Sequence, residues 1–288
     1  MKSNFISIAI IVFGFLFISC SNSENPNDYG RLKVQLTDAP FPHDLVAEAN
    51  VTIFKVDARY KGDVALDMQA MDSTDVLIET DQGNPFVVLM ENEVQVNLLE
   101  LTNGITTTLV DTDVPVGSYD LIRVYVKGIN VVLTDGTVFN LDVPSGAQSG
   151  IKVFIKPGLI VNGGLSSDLL LDFDVSKSFV QKSGGFNFKP VIKASNLSTA
   201  GTLMGTVTAM EQDALEGIEG AQVAVFIADT LNTTTFSDID GGYMLMGLEA
   251  GSYRVEVEKD GYSMQTVDDI QINAANKTTQ DFELVLEE

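Results

Sequence analysis

Apolar and polar residues alternate along most of the chain, with a period of two residues. In the segment 31–37, Leu32, Val34 and Leu36 are apolar and the residues between them are polar. Side chains spaced in this way point to one face of a β-strand, so the segment predicts a half-buried strand. Helical periodicity is nearly absent, and the pattern as a whole predicts an all-β protein.

The strand-like segments form two groups. Those of the first group span residues 31–37, 51–60, 86–90, 106–110, 119–127, 137–143, 151–155, 169–173 and 186–193. Those of the second span residues 202–209, 221–228, 233–237, 243–246, 252–259, 269–273 and 279–286. About seven short strands joined by turns indicate a β-sandwich. Residues 94–101 fit either a short strand or one helical turn, and both interpretations remain open.

A polar stretch of small residues, 195–201, separates the two groups. Such stretches are typical of domain boundaries. We therefore expect two tandem β-sandwich-type domains, one over residues 30–195 and the other over residues 202–288.

The N-terminal region has the pattern of a secretory signal. Lys2 precedes an apolar run over residues 5–18, and Ser19 stands directly before Cys20. A membrane-spanning helix needs about 20 apolar residues, so this run favours a cleaved signal peptide over an anchor helix. Residues 17–20, Phe-Ile-Ser-Cys, resemble the lipobox of bacterial lipoproteins. The resemblance implies a signal peptide over 1–19, a lipid on Cys20 and a tether over 20–29.

Composition and charge narrow the partners. Cys20 is the only cysteine, so it has no internal partner for a disulfide. The formal net charge of −23 disfavours nucleic acid, because phosphate binding needs clustered Lys and Arg. Divalent cations and neutral glycans remain open as partners, and the acidic surface also favours solubility.

A short motif is repeated in the two halves of the chain. Gly117-Ser118-Tyr119 and Gly251-Ser252-Tyr253 each lead into the most regular strand of their domain. We interpret the motif as structural: a turn permitted by glycine, followed by a tyrosine that packs at the edge of the sandwich.

The second domain resembles the carboxypeptidase regulatory-like, or transthyretin-like, family. The residues that carry the resemblance are Gly205–Thr208, Gly220–Val223, Ser237–Tyr243, Leu248–Tyr253 and Lys259–Tyr262. The resemblance implies a seven-stranded sandwich of the prealbumin type, without catalysis of its own.

The first domain resembles the family of bacterial lipoproteins called domain of unknown function 4382. The matching residues are Gly30–Pro40, Leu98–Leu101, Val116–Tyr119, Leu171–Asp174 and Lys189–Ile192. The resemblance implies a β-rich domain in the cell envelope and implies no reaction.

Three aspartates are the candidate site residues. Asp38 ends the first predicted strand, where it is either a ligand-binding residue or the start of a turn in which its side chain bonds nearby backbone amides. Asp172 and Asp174 share one face of a predicted strand. They are candidate Ca²⁺ ligands or part of a solvated outer face, with Leu171 and Phe173 inward.

Other chemistry finds little support in the sequence. His43 is the only histidine, so a zinc site built from several His or Cys is excluded, and a loop position favours an exposed residue over a catalytic one. Residues 238–249 fail the EF-hand pattern because Tyr243 stands where glycine belongs, and a β-turn fits better. We predict no catalytic residue and no cofactor other than Ca²⁺.

These observations predict a non-enzymatic lipoprotein of the cell envelope, placed at the outer membrane in a leaflet that the sequence leaves open. It would bind a glycan or an envelope protein, or act as a spacer. The alternatives are a structural or adhesin-type component of a surface assembly, and a hydrolase that uses two carboxylates in a cleft.

Overall fold

The chain folds almost entirely into β-strands, as predicted. The computed structural model describes residues 28–39, 46–61, 77–182, 185–211 and 213–287. The predicted signal peptide, the lipidation site Cys20, most of the tether and His43 lie outside these residues. What was predicted for them stays a prediction.

The first domain contains thirteen strands within the described residues. In chain order they are β1 (Tyr29–Ala39), β2 (Val46–Lys61), β3 (Ile78–Asp81), β4 (Asn84–Met90), β5 (Val94–Asn97), β6 (Thr107–Pro115), β7 (Gly117–Leu133), β8 (Val138–Asp142), β9 (Ile151–Val161), β10 (Ser166–Asp174), β11 (Phe179–Lys182), β12 (Gly185–Phe188) and β13 (Ile192–Asn196).

These strands form two main sheets that enclose one core. One sheet has the order β13-β10-β1-β6, in which β1 and β10 are parallel. The other has the order β3-β4-β2-β7-β8, with β5 beside β2 and β9 beside β7. Leu32, Val34 and Leu36 all lie in the core, as their alternation predicts. Strands β11 and β12 form a separate hairpin.

The second domain contains ten strands within the described residues. They are β14 (Ala200–Glu211), β15 (Ala214–Gly217), β16 (Gln222–Ile227), β17 (Thr230–Phe236), β18 (Gly242–Glu249), β19 (Gly251–Glu258), β20 (Tyr262–Ser263), β21 (Gln265–Ile272), β22 (Lys277–Thr279) and β23 (Phe282–Leu286). One sheet has the order β15-β14-β23-β20 with β18 and β22 also on β14, and the other has the order β17-β16-β19-β21. Their core is separate from that of the first domain.

The departures from the predicted strands are local. Residues 94–101 combine the two interpretations, because strand β5 runs directly into a 3₁₀ turn over Leu98–Glu100. The single strand predicted over residues 186–193 is two strands, β12 and β13. Pro190 lies between them and has no N–H to donate to a ladder. Strands β3, β5, β11, β15 and β20 are short, and the alternation did not resolve them as strands.

Helices are minor. The two α-helices, α1 (Pro144–Gln148) and α2 (Val175–Ser178), are single turns within the described residues. None of the described helices has the length and apolar character needed to cross a bilayer.

The repeated Gly-Ser-Tyr motif makes the same contact in both domains. The Tyr119 hydroxyl donates to the carbonyl oxygen of Pro115 at 2.8 Å, and the Tyr253 hydroxyl donates to that of Glu249 at 2.7 Å. Each tyrosine therefore ties a strand to the residue four positions earlier, in the manner of the tyrosine corner of β-sandwiches. Both tyrosines therefore have a structural role, but they lie in the buried cores and not at the edge of the sandwich, where the motif predicted them.

The two glycines of the motif differ in what they do. A Cβ at Gly117 would lie 2.5 Å from Cε2 of Tyr60, so the ring excludes any side chain there. At Gly251 the nearest atom would be 3.9 Å away, and its φ is not among the positive values. The turn chemistry expected of glycine therefore holds at the first site and not at the second.

We expect Tyr119→Phe to lower the free energy of unfolding of the first domain. Tyr119 is fully buried, so its loss leaves the Pro115 carbonyl without this donor. Such a deletion costs about 1–3 kcal/mol, measurable by urea denaturation. The control Ser252→Ala removes an exposed hydroxyl and should change the value by less than about 0.5 kcal/mol. An unchanged Tyr119→Phe protein would contradict the structural role.

Candidate functional site

The junction between the two domains is where the sequence-predicted candidates meet. The buried apolar residues that the structure describes form two separate cores, one in each domain. Polar groups from a loop, from β10 and from β13 of the first domain face β17, β18 and the turn between them. The contacts of this junction decide what the site can do.

A tight turn of the first domain enters the junction. Asn103 and Gly104 both have positive φ, 56° and 80°, and the N–H of Ile105 donates to the Thr102 carbonyl oxygen at 3.1 Å. This is the geometry that Asn-Gly sequences favour in two-residue turns. The Thr37 hydroxyl on β1 lies 2.9 Å from the Leu101 carbonyl oxygen and 3.0 Å from that of Ile105. The turn is therefore anchored to the sheet that contains β1.

The Asn103 side chain takes the place of a neighbouring strand at the edge of β18. Its Oδ1 accepts the N–H of Met244, and its Nδ2 donates to the carbonyl oxygen of Gly242 at 3.1 Å. These two groups belong to the residues on either side of Tyr243. A residue in a neighbouring parallel strand forms its two hydrogen bonds in the same pattern. The amide therefore gives the Met244 N–H its partner and adds a second donor to the Gly242 carbonyl oxygen, which also accepts the N–H of Asp238 at 2.8 Å.

The turn before β18 is shaped to receive this contact. The Asp238 carboxylate accepts the N–H groups of Asp240 at 3.0 Å and Gly242 at 2.8 Å. Its second oxygen lies 3.3 Å from Nδ2 of Asn103. The segment forms the predicted turn, in which the N–H of Gly241 donates to the carbonyl oxygen of Asp238 at 2.9 Å.

Glycine permits the close approach on the other side of the contact. A Cβ at Gly104 would lie 2.5 Å from Sδ of Met244. Any larger residue at position 104 would therefore displace Met244, in addition to straining a backbone with positive φ.

A second group of contacts fixes the far end of the junction. Nζ of Lys193 on β13 donates to the carbonyl oxygen of Asn232 at 2.7 Å. The Ser195 hydroxyl donates to the carbonyl oxygen of Gly247 at 2.9 Å. Asn103 contacts one end of β18 and Ser195 contacts it near the other end. Because these two contacts are separated, the second domain cannot rotate freely about either of them.

Asp38 is buried at the junction. It lies inside β1 and not after it, and its Oδ1 accepts the N–H of Val175 at 3.1 Å. The predicted local turn is therefore replaced by a contact with a residue far along the chain. Burial raises the pKa of Asp38 well above its usual value, and the charges of Asp172 and Asp174 raise it further.

Asp172 and Asp174 lie on the same strand, β10, and Leu171 and Phe173 point into the core as predicted. Asp174 is buried and not solvated: it accepts the backbone N–H of Lys177 at 2.9 Å and pairs with Nζ of that residue at 2.7 Å. It therefore caps the short helix α2. Within the described ranges, no three His, Cys, Asp or Glu side chains are grouped to hold a metal ion. Calcium at Asp172 and Asp174 stays a prediction.

Two cavities open at the junction. The smaller, of about 20 Å³, is lined by Asp38, Asp172 and Thr235 among others, and is comparable in size to a single water molecule. A sugar or peptide cannot reach Asp38 through it. The larger is a groove of about 340 Å³, lined on the first domain by Phe154, Lys156 and Lys193 and on the second by Met246 and Glu249.

Sequence reasoning found the aspartates and missed the residues that join the domains. Asn103 lies between predicted strands, Lys193 ends the strand predicted over 186–193, and Ser195 begins the stretch predicted as the domain boundary, so none of them was singled out as a contact residue. The Asn-Gly pair at 103–104 is a turn signal, so it could have located the turn. Its docking onto β18 depends on contacts across more than a hundred residues, and periodicity does not report these.

Comparison with protein families identifies both domains. Residues 29–190 match the family described as "Domain of unknown function (DUF4382)", which covers more than half of the 288 residues. The chain belongs to the DUF4382 family. Residues 202–285 match the carboxypeptidase regulatory-like domain, so the Asn103 contact joins the DUF4382 domain to a regulatory-like domain. Both predicted resemblances, and their order, are confirmed.

Comparison with curated proteins gave no match. Among solved structures, a minor pilin of Streptococcus agalactiae superposes with a TM-score of 0.26 at 12% identity, over 89% of this chain and 96% of that one. The major pilin subunit BcpA of Bacillus cereus has a TM-score of 0.26 at 11% identity, over 90% and 71%. The shaft pilin of Lactobacillus rhamnosus GG has a TM-score of 0.26 at 11% identity, over 90% and 98%. Similarity this low establishes neither a shared fold nor a shared function.

We expect Asn103→Gly to loosen the junction without breaking its turn, because glycine accepts positive φ. Two lost hydrogen bonds, at about 0.5–1.5 kcal/mol each, remove about 1–3 kcal/mol of coupling. Spin labels at Val138 and Asp268, in a Cys20→Ser background, should change from one narrow distance distribution to a broad one. The control Gln82→Gly alters another turn residue with positive φ and should leave the distribution narrow. Equal distributions would exclude the role assigned to Asn103.

We expect Asp38 to make stability fall as the pH rises. Its pKa in the folded protein lies above the unfolded value of about 3.9, so between the two values the folded state holds more protons. The contribution of Asp38 to stability is therefore fully present below the pKa of the unfolded chain. It is lost as the pH rises from that value to the pKa of the folded protein. Across that interval, the free energy of unfolding of Asp38→Asn should rise relative to that of the wild type by up to about 1.4 kcal/mol for each pH unit. Urea denaturation over a pH series measures this difference. A difference between Asp38→Asn and the wild type that stays constant across the pH series would contradict the account.

Proposed function

We propose that this protein is a non-enzymatic structural module of the cell envelope, in which the two domains act as one rigid unit. The DUF4382 domain would be the membrane-proximal part, and the regulatory-like domain would be presented at a fixed orientation. This corresponds to the structural alternative among the functions that the sequence predicts.

The observation that carries the proposal is the Asn103 contact with β18. A flexible linker between binding modules needs no such contact, whereas a spacer that sets distance and orientation does. The side-chain amide of Asn103 forms hydrogen bonds with the backbone of Gly242 and Met244. The Ser195 hydroxyl forms one with the carbonyl oxygen of Gly247, further along the same strand. Two polar attachments at separated points make one strand of the second domain an extension of the first.

The absence of catalysis is supported by the state of the acidic residues. Asp38 is buried behind a cavity of about 20 Å³, and both oxygens of Asp174 are engaged by Lys177. A hydrolase of the two-carboxylate type needs both acids at a substrate-sized cleft. The family of the second domain is described as regulatory-like, which is in line with a non-catalytic part.

Anchoring is the part of the proposal that rests on the N-terminal sequence. Lipidation of Cys20 would tether the first described strand, which begins at Tyr29, to a membrane within a few residues. Such a short tether keeps the rigid unit close to the bilayer. We place the protein at the outer membrane, with the leaflet undetermined.

The groove at the junction favours ligand binding as a second candidate function. Its volume of about 340 Å³ lies in the range of small-molecule sites. Phe154 is 55% exposed beside it and offers an aromatic surface for a glycan or a protein segment. Glycan or protein binding at this groove stays a prediction.

We expect the membrane-bound protein to hold its C-terminal domain at one distance from the bilayer. Full-length lipoprotein is reconstituted at low density, and energy transfer is measured from a dye on Asp268→Cys to acceptors in the membrane. The wild type should give one narrow distance, because both junction contacts hold. Asn103→Gly should give a broad distribution, and Gln82→Gly should match the wild type.

The anchor is tested in the same system. Cys20→Ser should abolish membrane association without changing the urea denaturation curve, since the substituted residue precedes the described fold. A broad distance distribution in the wild type would overturn the rigid-spacer proposal. Full membrane retention of Cys20→Ser would overturn lipid anchoring.

A further inference from the structure

The second domain carries an exposed apolar face at one end of a sheet. Three large apolar side chains are more than half exposed there: Met210 (53%), Leu215 (56%) and Val285 (62%). The strand register explains why they are neighbours. Met210 pairs with Leu215, Val285 pairs with Ser263, and the parallel pairing of Ala209 with Leu284 sets Met210 beside Val285. Contiguous patches of this kind mark interaction surfaces.

Acidic side chains surround this apolar face. Asp213, Glu283 and Glu287 are all exposed, and alternation along the strand places Glu283 and Glu287 on the same side as Val285. Within the part of the chain that the structure describes, none of the three forms a salt bridge, although eleven such pairs occur elsewhere, from the Arg31–Asp111 pair to the Arg254–Glu256 pair. The face therefore suits a partner that is both apolar and basic.

The first domain carries a surface of that opposite character, which we call the lysine ridge: Lys152, Phe154 and Lys156 on β9. The three residues alternate with buried ones, so they project from the same side of the strand. Phe154 is 55% exposed, and Nζ of Lys156 lies 5.9 Å from the centre of its ring. Neither lysine forms a salt bridge with any described residue.

The ridge is exceptional in a chain this acidic. Residues 151–193 hold six lysines and three aspartates, a net charge of +3, so the remainder of the chain carries −26. This positive segment of the first domain contains Lys152 and Lys156, which lie on the same side of β9 as the exposed ring of Phe154. A complementary surface is found at the apolar face of the second.

We propose that the apolar face of one copy packs on the lysine ridge of a second copy of this chain. Phe154 would be covered by Met210 and Val285, while Lys152 and Lys156 would pair with Glu283 and Glu287, which lie on the same side of the sheet as Val285. The two surfaces differ and lie on different domains, so each copy retains one unused surface after pairing. Such a heterologous contact extends into a row and does not close as a symmetric dimer.

The net charge of −23 opposes self-association but does not forbid it. At about 0.15 M salt the screening length is about 8 Å, so repulsion between whole molecules is largely screened while charges in contact still attract. Association should therefore be weak at low salt and stronger near physiological salt. The inference extends the rigid-spacer proposal by naming a partner, a second copy.

The experiment is sedimentation velocity of the full-length chain in detergent at about 0.15 M salt over a concentration series. The mean mass should rise with concentration beyond that of a dimer. Lys152→Glu/Lys156→Glu on the ridge should weaken association at least about tenfold, and Glu283→Lys/Glu287→Lys on the face should do the same. A tenfold change in affinity corresponds to about 1.4 kcal/mol.

Charge reversal on both surfaces tests whether they meet each other. A chain carrying all four substitutions should associate again, because the attraction is restored with opposite signs. Val285→Ser should weaken association, whereas Val138→Ser, at a comparably exposed apolar residue on β8, should not. Asp268→Lys serves as the matched charge control outside both surfaces.

Three results would overturn the inference. One is a mass that stays monomeric at every concentration. The second is a dimer that persists in the ridge variant, which would assign the apolar face to a symmetric contact. The third is retention of an anionic polysaccharide by the ridge with no self-association, which would assign the ridge to a polymer. None of these bears on the rigid-spacer test, which uses sparse membrane-bound monomers.

Discussion

The arrangement of the molecule depends on one side-chain amide standing in for a missing β-strand. The edge of β18 presents the N–H of Met244 toward the first domain, where Asn103 accepts it, and the Asn103 amide also donates to the carbonyl oxygen of Gly242, which it shares with the N–H of Asp238. Unpaired strand edges are sites of unwanted pairing, so closing one by a short side chain also limits association there. The same contact orients two domains whose cores are independent.

A polar junction of this kind has consequences for chemistry. The acids that the sequence singles out converge there, but burial removes Asp38 from substrate and the helix α2 occupies Asp174. Carboxylates gathered at one place usually suggest catalysis or metal binding. Here their surroundings are those of a domain contact, with backbone amides as partners, and the accessible space lies in the neighbouring groove instead.

Sequence patterns predicted the strands well because the alternation within a strand depends only on which of its side chains are buried. Alternation placed Leu32, Val34 and Leu36 in the core, and the Gly-Ser-Tyr motif located both tyrosine contacts. Asp38 was expected to make a local turn. The periodicity of the sequence does not show that β1 pairs with β10, and it is this pairing that brings Asp38 to Val175. The role of Asn103 escaped for the same reason. Its Asn-Gly turn is visible in the sequence, whereas the strand edge it bonds becomes a neighbour only after both domains fold.

The most direct test is the hydrogen-exchange rate of the Met244 backbone amide. Its N–H points away from β14 to the open edge, so Asn103 is the partner that the structure assigns to it. The account predicts strong protection of this amide in the native protein and loss of protection in Asn103→Gly, with the amides of the β14–β18 ladder unchanged. Rapid exchange at Met244 in the native protein would contradict the claim that this contact joins the domains.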